Sequence, residues 1–412
     1  MTTPHTGPAL DALQGLSVGD ALGAQFFVPG TARTHLADRT DPPGPWPWTD
    51  DTEMACSVYA AHTERGAIDT FDLTHAFARR HDFDRGYGPA ANRMLRLIRE
   101  GGDAKRLAAE LFDGQGSYGN GAAMRVAPLG AAYAEDPAAV VRPAADTAVV
   151  THTHPQAVDG AIAVAVAAAY AVRARTEAVT PHTFLAAVAA LTPRGAVHDG
   201  LTEAIGLLAE PDPLVAAEVL GNGSRTSAVD TVPYALWCAA RNLADYRAAV
   251  WDAIAPGGDM DTVAAITGGV VAAHTGADGI PAAWPAAREP LPDWAFPEPG
   301  GVRGREERLR LPRPHPVPDV VWTDGQWQRI RSDAPSRGRW WVSTREGVVS
   351  VHHPRGHPVW EVTVASVRGG WRPVTAFVEA YPGAYPLFPD GRNLADLDVV
   401  LAAVAARDRV TP

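Results

Sequence analysis

The stretch PWPWTDDTEM, residues 45–54, places two adjacent aspartates between two threonines, just where an apolar helical pattern begins. A single Thr or Asp is enough to cap a helix N-terminus, because its side-chain oxygen accepts a hydrogen bond from a free backbone N–H group. Asp50 and Asp51 therefore bring more negative charge to this helix start than capping requires. The stretch predicts a helix whose first residues have a second task.

A second acidic motif, GGDMDT at residues 257–262, precedes the apolar helical stretch VAAITGGVVAAHTG. Taken alone, each motif is explained by capping and by the attraction of carboxylates to the positive end of a helix. Together they supply carboxylate and hydroxyl oxygens, which are the ligands that Mg²⁺ or Mn²⁺ prefers. Carboxylates gathered without a cation would repel one another. We therefore interpret Asp50, Asp51, Asp259 and Asp261 as a site for a pair of divalent ions.

The segment DGQGSYGNGAAMR, residues 113–125, contains a formal G-x-G-x-x-G match. KRLAAELFD before it is helical in pattern rather than a strand, so a Rossmann dinucleotide fold is excluded. A Gly-rich loop that runs into a helix still offers backbone N–H groups to a phosphate. A plain flexible loop is disfavoured by Ser117, Asn120 and Arg125 within the segment.

Two further motifs point to packing and orientation. In THTHP, residues 151–155, a polar orienting role for one histidine is favoured over metal ligation, because no Cys or third His is nearby; a surface loop is the alternative. In LQGLSVGDALGAQFF, residues 13–27, a glycine recurs every four residues around Asp20. That spacing predicts close helix–helix packing that brings Asp20 near the acidic motifs.

Three regions of different composition follow one another along the chain. Residues 9–276 read as successive helices with a period of about 3.6 residues. Residues 285–318 are rich in Pro and Arg, and beyond them WVSTREGVVSVHH and VWEVTVASV cluster β-branched and aromatic residues. We predict an all-α domain over residues 8–284, a linker over 285–318, and a small Trp-rich domain of mixed β character over 319–412, ending in a helix near 394–407. Its tryptophans are interpreted as core, with Trp340 and Trp341 as an alternative recognition surface.

Composition narrows the class of protein. The net charge of −11 disfavours general nucleic-acid binding, and no membrane partner is expected, because the most apolar run, residues 161–172, is too short to span a bilayer. No secretory leader is visible at the N-terminus, and the two cysteines, Cys56 and Cys238, lack metal-ligand spacing. Reduced, buried thiols favour a cytoplasmic protein.

The order of these pieces resembles the ADP-ribosylglycohydrolase family over about residues 8–284. GDALGA, TDDT, GYGPAANRML, GSYGNGAAMR, TH and GGDMDT carry the resemblance, and TDDT with GGDxDT around a GNGAAMR loop is a specific combination. The resemblance implies an all-α fold with a binuclear Mg²⁺ or Mn²⁺ site. It also implies cleavage of the bond between the distal ribose of ADP-ribose and a protein acceptor.

Residue by residue, the resemblance implies a ligand set and a substrate cleft. Metal ligation is implied for Thr49, Asp50, Asp51, Asp259, Asp261 and Thr262. The ADP-ribose cleft is implied to be lined by Ser117, Tyr118, Gly119, Asn120 and Gly121, with His152 near the ligand. Asp50 or Asp51 is the residue expected to position or deprotonate the attacking water. Phe27 stands where the family usually has a glutamate beside the metals.

These observations lead to one expected function and two alternatives. We expect a metal-dependent hydrolase that removes ADP-ribose from a modified acceptor, arginine before others, with an ADP-ribosylated protein as substrate and ADP-ribose as product. The alternatives are a non-catalytic protein that binds ADP-ribose or a partner, and a hydrolase of another ADP-ribosyl linkage. The complete TDDT and GGDMDT motifs favour an enzyme, and Phe27 keeps the other linkages open.

Overall fold

The computed structural model describes residues 7–28, 30–297, 312–314, 320–331, 341–345, 348–352, 358–367 and 370–379. They form two compact units: a helical unit within Met1–Arg99 and Ala104–Gly300, and a sheet unit within Glu100–Asp103 and Gly301–Pro412. The prediction of an all-α domain followed by a small domain of mixed β character is confirmed.

The helical unit is built from helices joined by loops, of which 25–49 and 110–126 are the longest. In chain order they are α1 (Pro8–Ala24), α2 (Asp50–Arg65), α3 (Thr70–Arg80), α4 (Pro89–Arg99), α5 (Ala104–Ala109), α6 (Ala127–Ala131), α7 (Val141–Val149), α8 (Pro155–Arg173), α9 (Pro181–Leu191), α10 (Ala196–Gly206), α11 (Pro213–Leu220), α12 (Ala228–Arg241), α13 (Tyr246–Ile254), α14 (Met260–Thr275) and α15 (Ala283–Ala287). Short 3₁₀ turns include Gln25–Phe27 after α1 and Asn120–Ala122 in the Gly-rich loop.

Helices α1 and α14 are packed together more closely than ordinary side chains allow. A Cβ atom added to Gly19 would lie 2.2 Å from the carbonyl oxygen of Ala264. Gly15 and Gly23, one turn away on either side, face Gly268 and Met260 in the same way. The four-residue glycine spacing therefore places Asp20 of α1 beside the N-terminal end of α14.

Helix α8 forms part of the core of the helical unit. By length and composition alone it could cross a membrane, but 72% of its most apolar 18-residue stretch is buried inside the protein. It contacts α6, α7, α9, α12 and α14. Its many alanines allow these neighbours to approach, which accounts for the Ala-rich run in the sequence.

The segment 285–297 packs on the helical unit, although the sequence placed it in the linker. The backbone N–H of Trp46 donates to the carbonyl of Ala287 (2.7 Å), and the N–H of Glu289 donates to the carbonyl of Trp46 (2.9 Å). Ala295 is fully buried. A Pro-rich composition is typical of a linker. Here, however, the Pro-rich segment forms backbone hydrogen bonds with Trp46, just before the TDDT motif.

The sheet unit contains five antiparallel strands in the order β1-β5-β4-β3-β2. Their bounds are β1 Pro312–Pro314, β2 Trp341–Arg345, β3 Val348–His352, β4 Pro358–Val367 and β5 Gly370–Glu379, and helix α16 spans Asp324–Arg331. Trp327 stacks between Trp322 and Trp371, at centroid distances of 6.1 and 5.0 Å. The interpretation of these tryptophans as core fits Trp322 and Trp327, which are buried.

Some predictions for this unit lie outside the described residues. They are the final helix near residues 394–407 and the side chains of Trp340 and Trp341.

Candidate metal and ligand site

The start of α2 carries the first acidic motif. Thr49 occupies the N-cap position with an extended backbone, and its side chain makes no capping hydrogen bond within the described chain. Asp20 of α1 performs that task instead, because its Oδ2 accepts from the N–H of Thr52 (3.1 Å) and from the N–H of Thr49 (2.9 Å). The hydroxyls of Thr49 and Thr52 also donate to Asp20. Asp50 and Asp51 are therefore not needed as caps.

The start of α14 carries the second acidic motif, and its N-cap residue also has another partner. Asp259 occupies the N-cap position, but its carboxylate accepts from Nδ2 of Asn120 (2.6 Å) and makes no capping bond in the described residues. The N–H of Asp259 is held by the carbonyl of Asn222 (3.0 Å). In the second motif, only Asp261 accepts from a backbone N–H of the helix start, that of Thr262 (2.9 Å), whereas the carboxylate of Asp259 is directed at the Gly-rich loop.

The two motifs meet at Asp51. Its Oδ2 lies 3.1 Å from the hydroxyl of Thr49, whose single proton is shared with Asp20, and 3.5 Å from the hydroxyl of Thr262. Carboxylate oxygens of Asp20, Asp51 and Asp261 lie within 4.8 Å of one another. The structure thus brings residues about 210 positions apart, 51 and 262, into one cluster.

The charges of this cluster are unfavourable without a cation. Burial, followed by the neighbouring carboxylates, raises the pKa of Asp50 to about 8 and holds the pKa of Asp51 and Asp261 well above the usual range. Two carboxylates about 4 Å apart repel by about 4 kcal/mol at an effective dielectric constant of ~20. A helix cap contributes only about 1 kcal/mol. Capping cannot offset this repulsion, so the cluster requires bound protons or a cation.

The atoms present fit a divalent metal ion. Oδ1 of Asp51 is buried and has no hydrogen-bond partner within the described part of the chain. A buried carboxylate oxygen without a hydrogen-bond partner costs free energy unless a bound ion, water or ligand interacts with it. The surrounding donors are carboxylates and threonine hydroxyls, a set of hard oxygen ligands. The acidic cluster can therefore bind a metal.

The Gly-rich loop is anchored beside this cluster. The N–H of Asn120 donates to the carbonyl of Thr226 (3.0 Å), and the N–H of Ala228 donates to the carbonyl of Tyr118 (3.1 Å). Nδ2 of Asn120 contacts both Asp259 and the hydroxyl of Thr231 (3.0 Å). The loop that the sequence proposed for phosphate binding is thereby joined to the second acidic motif through a single side chain.

The other predicted cleft residues lie along the same loop. Ser117 is buried and accepts from the N–H of Gly119 (3.2 Å), whereas Tyr118 is 41% exposed and its ring lies against His154. His152 approaches the loop from the other side, since a Cβ atom added to Gly121 would lie 3.0 Å from its Nε2. Residues 117–121 are consecutive in the chain, and the structure places His152 next to them.

Arg125 does not face the loop, although the sequence singled it out there. Its side chain is fully buried, and NH2 donates to the carbonyl of Thr147 (2.6 Å) and the hydroxyl of Thr151 (2.9 Å). Its guanidinium also lies 4.5 Å from the ring centroid of Phe77. Arg125 is therefore part of the packing behind the loop and not a direct phosphate ligand.

Phe27, in the position where a glutamate was expected, is 51% exposed at the end of the 3₁₀ turn Gln25–Phe27. A different acid lies on α2: Glu53 is buried and accepts from the hydroxyl of Tyr87 (2.6 Å) and the N–H of Asp82 (3.2 Å). Burial raises the pKa of Glu53 above its usual value, and these hydrogen bonds offset only part of that rise. Its carboxylate is engaged by protein donors.

Three residues of the site were absent from the predicted ligand and cleft residues, although the sequence had placed the first of them, Asp20, near the acidic motifs. Asp20 caps α2 from another helix, Asn222 fixes the start of α14, and Glu53 adds a buried acid beside Asp50. The glycine spacing around Asp20 was the signal for the first. The GNG element at residues 221–223 resembles the Gly-rich loop and could have drawn attention to the second. No local signal distinguishes Glu53 from other acids of a helical first turn.

The chain belongs to the ADP-ribosylglycohydrolase family, because a family model with that description matches residues 2–303. It is therefore an enzyme of the hydrolase class that this family defines.

Several known proteins are similar to it. ADP-ribosylhydrolase ARH3 of Bos taurus is 31% identical over 290 residues, which cover 62% of this chain and 75% of that protein. The ADP-ribosyl-[dinitrogen reductase] glycohydrolase of Rhodospirillum rubrum is 33% identical over 167 residues, or 36% of this chain and 54% of that protein. A solved structure titled "ADP-ribosylglycohydrolase-related protein complex" has a TM-score of 0.50 and 28% identity, covering 68% of this chain and 92% of that one.

Proposed function

We propose that the protein is a metal-dependent hydrolase that removes ADP-ribose from a modified protein, with ADP-ribosyl-arginine as the first acceptor to test. The observation that supports this most is the meeting of both acidic motifs at Asp51, beside a Gly-rich loop anchored through Asn120 to Asp259. The names of similar proteins refer to ADP-ribosyl hydrolysis, and one names dinitrogen reductase as the modified protein. ADP-ribose is the product in this proposal.

The proposed metal site uses ligands from both acidic motifs. They are Thr49, Asp50, Asp51, Asp259, Asp261 and Thr262, and two ions of Mg²⁺ or Mn²⁺ suit such hard oxygen donors. Of the carboxylates in this set, Asp51 and Asp261 lie in one cluster together with Asp20. Bound there, such ions supply positive charge that orients ribose hydroxyls and stabilises charge developing in the reaction. The buried Asp51 Oδ1, which lacks a protein partner in the described residues, supports this assignment.

The side chains around the cluster have separate roles in the proposed hydrolysis. Asp50 or Asp51 holds the attacking water and accepts its proton as the water adds to the anomeric carbon of the distal ribose. The departing acceptor leaves with the electron pair of the broken glycosidic bond. Asn120 holds the Gly-rich loop against Asp259, so that the pyrophosphate and the reacting ribose are fixed relative to the carboxylates.

The experiment is an assay of arginine-, serine- and nucleic-acid-linked ADP-ribose, with and without Mg²⁺. Loss of a residue that hydrogen-bonds to a metal ligand typically costs about 10–100-fold in activity. Asp261 is itself a proposed ligand, so Asp261→Asn should lower turnover by at least about 100-fold. Asp245→Asn is the matched control, since Asp245 caps α13 by accepting from the N–H of Ala248 (3.0 Å) and asparagine caps equally well. Equal turnover in the two variants, or no hydrolysis of any linkage by the wild type, would refute the proposal.

The preference among acceptors is proposed to depend on Phe27. An exposed aromatic side chain after α1 replaces the acid of the family pattern, so the acceptor meets an apolar surface there. Phe27→Glu should change the ratio of turnover on the arginine and serine linkages. Phe27→Gln introduces a side chain of the same size as glutamate without its charge, so the two variants together separate the effect of charge from that of shape. An unchanged ratio in both variants would remove Phe27 from the account of specificity.

A further inference from the structure

A buried cation behind the Gly-rich loop has no role in the proposed hydrolysis. Arg125 is fully buried and makes no ion pair within the described residues. Its NH2 group donates to the carbonyl of Thr147 and the hydroxyl of Thr151, at 2.6 and 2.9 Å, while its Nε lacks a partner in the same described set. The carboxylate of Asp50 attracts this charge without a direct ion pair, and the guanidinium fixes the orientation of the carbonyl and hydroxyl that it contacts.

The hydroxyl of Thr151 connects Arg125 to His152. Thr151 is 2% exposed, and its Oγ1 lies 2.7 Å from Nδ1 of His152. A hydroxyl has one proton to donate and two lone pairs with which to accept. Because Oγ1 already accepts from Arg125, it can direct its only proton at Nδ1. Nδ1 is then an acceptor, and the single proton of a neutral imidazole lies on Nε2.

The opposite tautomer is disfavoured by the same proton count. If Nδ1 carried the proton and donated it to Oγ1, the hydroxyl proton of Thr151 would have no acceptor among the described residues. A buried donor left without a partner costs about 1–3 kcal/mol. That difference corresponds to roughly a 5- to 150-fold preference for the Nε2–H tautomer.

The Nε2 atom of His152 faces the loop that forms the proposed ADP-ribose cleft. Cβ atoms added to Gly119 and Gly121 would lie 3.3 and 3.0 Å from Nε2. Burial, together with the charge of Arg125, lowers the pKa of His152 to about 3, so its ring is neutral at physiological pH. A neutral imidazole with its proton on Nε2 presents one hydrogen-bond donor to this side of the loop.

We propose that Arg125 and Thr151 are positioning residues that fix His152 as a neutral Nε2–H donor to an acceptor oxygen of bound ADP-ribose. The part concerning the ligand rests on the proposed function, whereas the tautomer is a property of the free protein. Neither Arg125 nor Thr151 needs to touch the ligand in this arrangement. Their effect reaches it only through the proton position on His152.

The tautomer is measured directly by ¹⁵N NMR of the histidine side chains in the wild-type protein without ligand. A comparison with His152→Gln identifies the signals of His152 among the 14 histidines. A protonated Nε2 with an unprotonated Nδ1 is expected. A protonated Nδ1 would overturn the proposal, whether or not any variant folds and whether or not the protein binds ADP-ribose.

The effect on binding is measured with Thr151→Val and Thr151→Ser by calorimetric titration with ADP-ribose. Valine keeps the shape but removes the hydroxyl, so affinity should fall by about tenfold and the Nε2–H preference should weaken, as expected for one lost hydrogen bond of about 1.4 kcal/mol. Serine keeps the hydroxyl and should retain both. Wild-type affinity and tautomer in Thr151→Val would overturn the proposal. No binding of ADP-ribose by the wild type would instead refute the proposed function.

Discussion

Replacement of Asp20 by asparagine tests how α1 fixes the metal site. The Asp20 carboxylate accepts from two backbone N–H groups and two hydroxyls, all from Thr49 and Thr52. An amide of the same size has one acceptor oxygen and presents N–H donors on its other side. With the amide oxygen in the Oδ2 position, both backbone N–H groups and the Thr52 hydroxyl keep their acceptor, and only the Thr49 hydroxyl loses Asp20 as its partner.

The expected loss of stability follows from that count. Each buried donor without a partner costs about 1–3 kcal/mol, and removal of one charge from the acidic cluster offsets part of this. A net loss of about 1 kcal/mol in the free energy of unfolding remains. For a domain of this size, such a loss lowers the melting temperature by on the order of 2–4 °C.

The assay is thermal and urea unfolding in the presence of EDTA, so that metal binding does not contribute. Asp51→Asn is the matched comparison: its amide oxygen can still accept from Thr49, and relief of repulsion should leave stability unchanged or increase it. Equal stability of Asp20→Asn and Asp51→Asn in EDTA would show that Asp20 does not hold the start of α2, and would refute the capping role assigned to Asp20.

Three further predictions follow from the fold and the charges. Because the pKa of Asp50 rises from 3.8 to about 8 on folding, the metal-free protein should lose stability as pH increases from about 4 to 8. Thermal melts at several pH values should show that the stabilisation by Mg²⁺ increases over this pH range. A stabilisation by Mg²⁺ that does not change with pH would contradict this prediction. Gly19→Ala should cost about 3 kcal/mol in urea unfolding, because its Cβ would lie 2.2 Å from the carbonyl of Ala264; an unaffected midpoint would show that α1 can shift. A chain ending at residue 284 should unfold at a lower temperature than one ending at residue 300, since only the longer chain keeps the hydrogen bonds of 285–297 to Trp46; equal melting temperatures would restore residue 285 as the start of the linker.

The helices that carry the site were predictable because their signals are local. Helices α2 and α14 combine a long apolar period with acidic residues at the start, and a four-residue glycine spacing indicated the approach of α1 to α14. The local signal is weaker for α7, which is short and contains a proline, and for α10, which begins after a glycine and mixes polar and apolar residues.

Contacts between distant segments account for the rest. The capping of α2 by Asp20 joins residues 29 and 32 positions apart, and the local sequence of α2 holds no trace of it. The segment 285–297 reads as a linker by composition, because its pairing with Trp46 is invisible until the fold is known. Arg125 follows the Gly-rich loop and was grouped with it, although the chain turns it into the core.

The most direct test of the central claim is a titration of the metal-free protein with Mn²⁺, followed by electron paramagnetic resonance and by the melting temperature. Wild type and Asp245→Asn should bind Mn²⁺ and melt at a higher temperature when it is bound, through preferential binding to the folded state. Asp51→Asn should lose both responses, since Asp51 joins the two acidic motifs. A wild-type protein that neither binds Mn²⁺ nor gains stability from Mg²⁺ or Mn²⁺ would contradict the account.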